Sequence, residues 1–125
     1  MEQMMLIKSI REKVQFGKEH FQAIPLVKSG KSVLMAVGLE PGQAIPVHHP
    51  GSDVAIIVIE GELTLVSGDE ELEHAGPGAV LYAEAGKARG IRADKRSIAV
   101  AMACPPPTQE DHREVAEHFA KGTWR

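Results

Sequence analysis

Gly42 to Gly61 reads GQAIPVHHPGSDVAIIVIEG, and its second half decides the architecture. Val54 to Ile59 is VAIIVI, an unbroken apolar run rich in β-branched side chains. Branching at Cβ stiffens χ1 and suits the pleated surface of a strand. A run without polar interruption predicts a strand covered on both faces. Glu60-Gly61 ends it. Glu62-Leu63-Thr64-Leu65-Val66 then alternates and stops at Ser67-Gly68-Asp69, the pattern of a half-buried strand closing in a turn.

Working outward, Glu70 to His74 leads into the punctuator Gly76-Pro77-Gly78. Ala79 to Ala83 and Ser97 to Ala103 supply two more apolar strands, with Gly86 and Asp94-Lys95 marking turns between them. Upstream, Ala23 to Lys28 and Ser32 to Leu39 flank Ser29-Gly30-Lys31 and read as a hairpin. Short strands at regular spacing predict an all-β barrel of two facing antiparallel sheets, with its core over about residues 23–103. Past Cys104, Pro105-Pro106-Pro107 is a rigid extended spacer that cannot join a central strand. Thr108 with Asp111 three residues on is a capping-box-like start, and Lys121-Gly122 is a stop. A short C-terminal helix is predicted over about 109–121, with His112, Val115, Ala116 and Phe119 on the face that meets the barrel or a partner.

Composition bounds the rest. A chain of 125 residues is one domain, able to bury roughly two thirds of its unfolded surface without staples. Aromatic residues make up 4% of it, so the core must be mainly aliphatic. The net charge of −3 is mild and the basic residues are scattered, which leaves no electrostatic case for nucleic acid. Cys104 stands alone, excluding an intrachain disulfide and fitting a reducing compartment. Met4 to Ile7 is too short an apolar run for a signal peptide, and no stretch is long enough to span a membrane. A cytoplasmic location is the expectation.

Gly42–Gly61 and a second run, Gly78–Ala93 (GAVLYAEAGKARGIRA), resemble the two signature motifs of the cupin superfamily, and the resemblance extends over about Leu39 to Ala103. It implies a double-stranded β-helix, or jelly-roll barrel, in which two His and a Glu of the first motif and a His of the second bind a metal. Anchored on Gly42, His48 takes the first His position and Pro50 the second; counted back from Gly61, Val54 stands where the Glu should be. With the longer internal spacing, His49 takes the second His position and Val47 the first. In the second motif Glu84 replaces the Pro, Gly86 is kept, Arg89 replaces the His and Ala93 the Asn. The glycine skeleton survives, while one His fits either register.

Alternate residues of a strand share a face, so of the adjacent His48 and His49 one points inward in regular geometry, and which one is open. Asp53, the nearby carboxylate, is one place out of register and reads as a turn cap. Arg89 would repel a divalent ion. The preferred reading is a binding barrel without the usual catalytic metal, with Arg89, His48, His49, Val54 and Tyr82 as ligand-binding residues. Its ligand is a small amphipathic carboxylate or phosphate, forked by the guanidinium and covered by apolar walls. If Arg89 enters the barrel, its partner is expected to be an acid of the chain, with Asp53 and Glu84 the candidates, water, or that ligand anion. The alternative is a metal-dependent oxygenase, isomerase or lyase holding a divalent transition metal on His48 and His49. A third reading makes the barrel an interaction module. Cys104 is expected to be a buried small hydrophobe and His74 an exposed residue. A homodimer is expected, built on apolar residues of Met4 to Ile10 and on edge pairing.

Overall fold

The structure, a computed structural model, describes residues 5–125. Met4 therefore lies outside the described residues. After a 3-10 turn at Ile10–Glu12, the strands are β1 (Gln22–Lys28), β2 (Val33–Leu39), β3 (Ala44–His48), β4 (Asp53–Glu60), β5 (Leu63–Ser67), β6 (Glu70–Ala75), β7 (Val80–Ala83), β8 (Arg89–Ala93) and β9 (Ser97–Cys104). One helix, α1 (Gln109–Lys121), follows. Two antiparallel sheets, ordered β1-β2-β9-β4-β7 and β3-β8-β5-β6, face each other as the expected barrel. No helix among the described residues is long and apolar enough to cross a membrane.

The core between the sheets is aliphatic, as the scarcity of aromatic residues requires. Val37, Leu39, Val58, Leu63 and Ile91 are wholly buried there. β4 shows the alternation that its sequence conceals. Val54, Ile56 and Val58 point into the core, whereas Ile57 is 40% exposed. The expectation that VAIIVI is covered on both faces is thus corrected: nothing in the described chain lies over this part of the first sheet. Beside Ile57, the neighbouring Val80 of β7 is also exposed, and Tyr82 and Met102 flank Ala55 in the next row. Farther across the same face the N-terminal segment does provide cover. A Cβ at Gly38 would collide with the Gln15 carbonyl, so only glycine lets that segment lie against β2.

Among the described residues the N-terminal segment adds no strand before β1; Met5 and Leu6 are exposed. Arg11 in the 3-10 turn ties it to Glu60 at the end of β4, with Nε donating over 2.9 Å. Cys104 is also exposed, not buried, because it follows the inward Ala103 and alternation turns it outward.

α1 begins with the capping box that the sequence predicts. Asp111 Oδ2 accepts from the Thr108 backbone N–H at 2.8 Å, and Thr108 Oγ1 accepts from the Asp111 N–H at 3.3 Å. Gly122 ends the helix at φ 70°, in the left-handed region. The docked face is rotated from the expected one: Val115 is buried, Phe119 stacks on His20 with ring centroids 4.0 Å apart, and Ala116 is exposed. Beyond the helix, the Trp124 carbonyl accepts from the Val47 N–H at 2.7 Å, so the tail satisfies the free edge of β3.

Candidate functional site

A cavity of about 300 Å³ opens between the two sheets. Val54, Ile56 and Ala103 of the first sheet face Ile45 and Ile91 of the second, and Pro106, Pro107 and Val115 close one side. Most of this wall is apolar, which is what inward positions of a small barrel dictate. Its polar groups are few: Arg89, His48 and Ser52 from the barrel, Lys28 from β1, and Asp111 and His112 from α1. The volume lies near the lower end of the range for small-molecule sites.

Arg89 opens β8, pairs with His48 of β3 and Ser67 of β5, and points inward, 3% exposed. Its guanidinium is held by three backbone carbonyls. Nη1 donates to Ser52 at 2.7 Å, Nη2 to Glu84 at 2.7 Å and Nε to Lys87 at 3.1 Å. This corrects the expected acidic partner. Glu84 contributes its main chain and not its carboxylate, while the Asp53 carboxylate accepts from the Ala85 N–H at 2.9 Å. Carbonyl dipoles can satisfy a guanidinium without the desolvation of a second full charge. They also let one side chain fasten the β3–β4 loop to the β7–β8 loop. Among the described residues no carboxylate lies within ion-pair distance of Arg89. Burial lowers its pKa, opposed at longer range by Asp53 and Asp111, and a guanidinium keeps its charge regardless. Three of five N–H groups are engaged, which leaves two.

His48 and His49 part company as alternation requires. The His48 ring lines the cavity, and its Nδ1 donates to the Pro46 carbonyl at 2.7 Å. A carbonyl can only accept, so Nδ1 carries the proton and Nε2 of the neutral ring is an acceptor. Burial, with the Arg89 charge adding to it, pulls the His48 pKa down. His49 turns outward to α1: its Nδ1 lies 2.9 Å from Glu114 Oε2, and its backbone N–H donates to Oε1 at 2.9 Å. Of the residues singled out in the sequence, Arg89, His48 and Val54 therefore meet at the cavity. His49 and Tyr82 do not; Tyr82 is 56% exposed on the outer face of β7, because the inward places there belong to Leu81 and Ala83.

The tail contributions of Pro106, Pro107, Asp111, His112 and Val115 were not legible as site residues. Their capping and amphipathic pattern shows a helix that docks, and says nothing of what it docks over. Here Asp111 Oδ1 accepts from the Gly51 N–H at 3.2 Å and Ser52 Oγ donates to the Pro105 carbonyl at 2.5 Å, so the β3–β4 loop and the tail are laced together.

Residues 35–104, more than half of the chain, match the cupin domain. The chain is a cupin. The crystal structure of TT1209 from Thermus thermophilus is 32% identical, covering 81% of this chain and 98% of that one with a TM-score of 0.74. An RmlC-like cupin from Desulfovibrio desulfuricans is 28% identical, with 85% and 98% covered and a TM-score of 0.66. KdgF from Halomonas sp., 17% identical over 74% of this chain and 86% of its own with a TM-score of 0.66, shares the fold. No curated protein matches.

For a metal at the site usual in cupins, the donor set is the test. This cupin offers one barrel imidazole, His48, with Val54 in the carboxylate position and Arg89 in that of the last His. Among the described residues no three His, Cys, Asp or Glu ligand atoms converge in the cavity. An ion there needs three or four such donors, and the cavity brings together one. The residues present do not fit it.

Proposed function

We propose that this cupin binds a small amphipathic anion, a carboxylate or phosphate ester with an apolar body, in the barrel cavity and without a metal at the usual site. The observation that carries the reading is Arg89: a buried cation with no carboxylate on it among the described residues, set at one side of an apolar cavity. The ligand's charge would compensate Arg89 through the two remaining N–H groups, and the aliphatic wall would cover its body. Neutral His48 adds an acceptor suited to a ligand hydroxyl or a protonated acid.

Calorimetric titration with a graded series of short carboxylates tests it. Affinity should rise with chain length until the cavity is full, at roughly 0.8 kcal/mol per buried methylene. It should fall at least tenfold in Arg89→Lys, which keeps a charge but loses the fork. Equal affinity in parent and variant would overturn the reading. So would near-stoichiometric metal in untagged protein that is lost with His48→Gln.

The same reading includes a homodimer in a cytoplasmic setting. Its support is the apolar outer face of the first sheet, where Ile57, Val80, Tyr82 and Met102 stand exposed. Light scattering at micromolar concentration should give twice the chain mass; a monomer mass would count against it.

A further inference from the structure

We propose that Glu62, His74 and Asp94 form a binding site for a divalent transition-metal ion, zinc or a first-row neighbour, on the second sheet outside the barrel cavity. The site grows from the sheet's register. Leu63 of β5 pairs with Ala75 of β6 on one side and Ala93 of β8 on the other. Glu62, His74 and Asp94 are each one residue from that row, so three neighbouring strands bring them together.

Strand geometry alone would not aim His74 at the two acids; a bulge does. β6 pairs Ala75 with Leu63 and Leu72 with Leu65, so Glu73 and His74 oppose the single Thr64. His74 takes φ 56°, the one positive φ at a non-glycine position among the described residues. A bulge of this kind redirects a side chain, and its left-handed backbone is unfavourable for a residue with a Cβ. As a result His74 Nδ1 lies 2.5 Å from Glu62 Oε1 and 3.8 Å from Asp94 Oδ2. The three ligand atoms fall within 4.8 Å of one another.

The other oxygen of each acid is already engaged. Lys95 Nζ lies 3.4 Å from Glu62 Oε2, and Arg92 Nη1 lies 4.0 Å from Asp94 Oδ1. Buried Thr64 places Oγ1 at 3.2 and 3.3 Å from the Asp94 oxygens and donates to that carboxylate. Such supporting contacts orient ligands at metal sites. Glu62 Oε1, Asp94 Oδ2 and His74 Nδ1 are the atoms that converge, one imidazole and two carboxylates, and an ion would replace the present Nδ1–Oε1 contact. That mixture suits zinc, iron, cobalt or nickel better than calcium or magnesium, which favour oxygen alone. The carboxylates are 23% and 18% exposed and the imidazole 69%, so water can complete the coordination.

Trp124, the one tryptophan of the chain, lines a hollow of about 280 Å³ together with His74 and Asp94. This supplies a built-in reporter. Untagged, metal-stripped protein is titrated with Zn²⁺ by calorimetry and with Ni²⁺ by Trp124 fluorescence, then the Ni²⁺ is displaced with Zn²⁺. One ion per chain should bind, with quenching by Ni²⁺ that Zn²⁺ reverses. His74→Asn removes the imidazole while tolerating the left-handed backbone. It and Glu62→Gln should each weaken binding by more than the ~10- to 100-fold that loss of a supporting contact costs, and Thr64→Val by about that amount. His118→Gln, a surface histidine on α1, should bind as the parent does. Circular dichroism confirms that each variant is folded. The proposal is overturned by the absence of binding at millimolar Zn²⁺, by unchanged affinity in both His74→Asn and Glu62→Gln, or by equal loss in His118→Gln.

Discussion

The cavity around Arg89 and the outer cluster around His74 lie on opposite faces of the second sheet, and their chemistry is inverted. Inside the barrel, where cupins usually assemble metal ligands, this chain presents one neutral imidazole, a valine and a guanidinium held by carbonyls. Outside it, where the sequence carries no family motif, an imidazole and two carboxylates converge. The difference teaches that a motif fixes where side chains start, while the identity of each residue and the local register decide whether they make a site.

The sharpest way to break the cavity half of this comparison is Arg89→Ala. It removes the donor to three carbonyls that fasten two loops; that of Ser52 is buried and those of Glu84 and Lys87 partly so, and an unsatisfied buried acceptor costs about 1–3 kcal/mol. A destabilisation of about 2–4 kcal/mol is expected, read from urea unfolding, at or above the upper end of what a single substitution commonly costs. A loss under 1 kcal/mol would mean that the carbonyl cradle contributes little.

Filling the cavity should have a smaller effect on stability and a larger one on binding. Ala103→Phe pushes a ring among Val54, Ile56 and Ile91, and overpacking costs roughly 1–3 kcal/mol. Carboxylate binding should vanish in it while Zn²⁺ binding at the outer cluster is unchanged. Loss of both would show that the two regions are not independent.

Glu114→Ala sharpens the role of the tail. It removes both contacts between α1 and His49, at a cost of about 1 kcal/mol. Exchange of α1 amides with deuterium should quicken more than that of β4 or β9. Uniform change would argue against the helix as a separately held wall.

The smallest expected effect is that of pH on His48. Its folded pKa lies below the ordinary 6.5, so the unfolded chain binds the proton more readily. Stability from this group is full above pH 6.5 and is lost as pH falls through that value toward the folded pKa. Unfolding free energy should therefore slope downward below pH 6.5 in the parent and less so in His48→Gln. Identical slopes would place the ring in solvent.

Strand positions were open to reading because they follow from local physics. β-branched runs, alternation and Gly-Pro punctuation mark out β2, β4, β5, β7 and β9, and the capping box marks α1, without reference to anything distant. The same local rule required His48 and His49 to diverge but left open which turns inward, and the inward reading of Arg89 came from its place in the cupin-like second motif. What it could not show was the partner on the other side of each contact. Whether VAIIVI is covered on one face or two depends on which segment crosses the sheet, and the chain crosses at Gly38 instead. Arg89 finds carbonyls of Ser52, Glu84 and Lys87 because two loops meet over it, and backbone oxygens leave no mark in a sequence. Asp111 and His112 reach the cavity only because α1 folds back on β3. His74 meets Glu62 and Asp94 only because β6 carries one extra residue opposite Thr64. Alternation and capping act within a few residues and are written in the chain; convergence depends on register, bulges and loop crossings, which exist only once distant strands have paired.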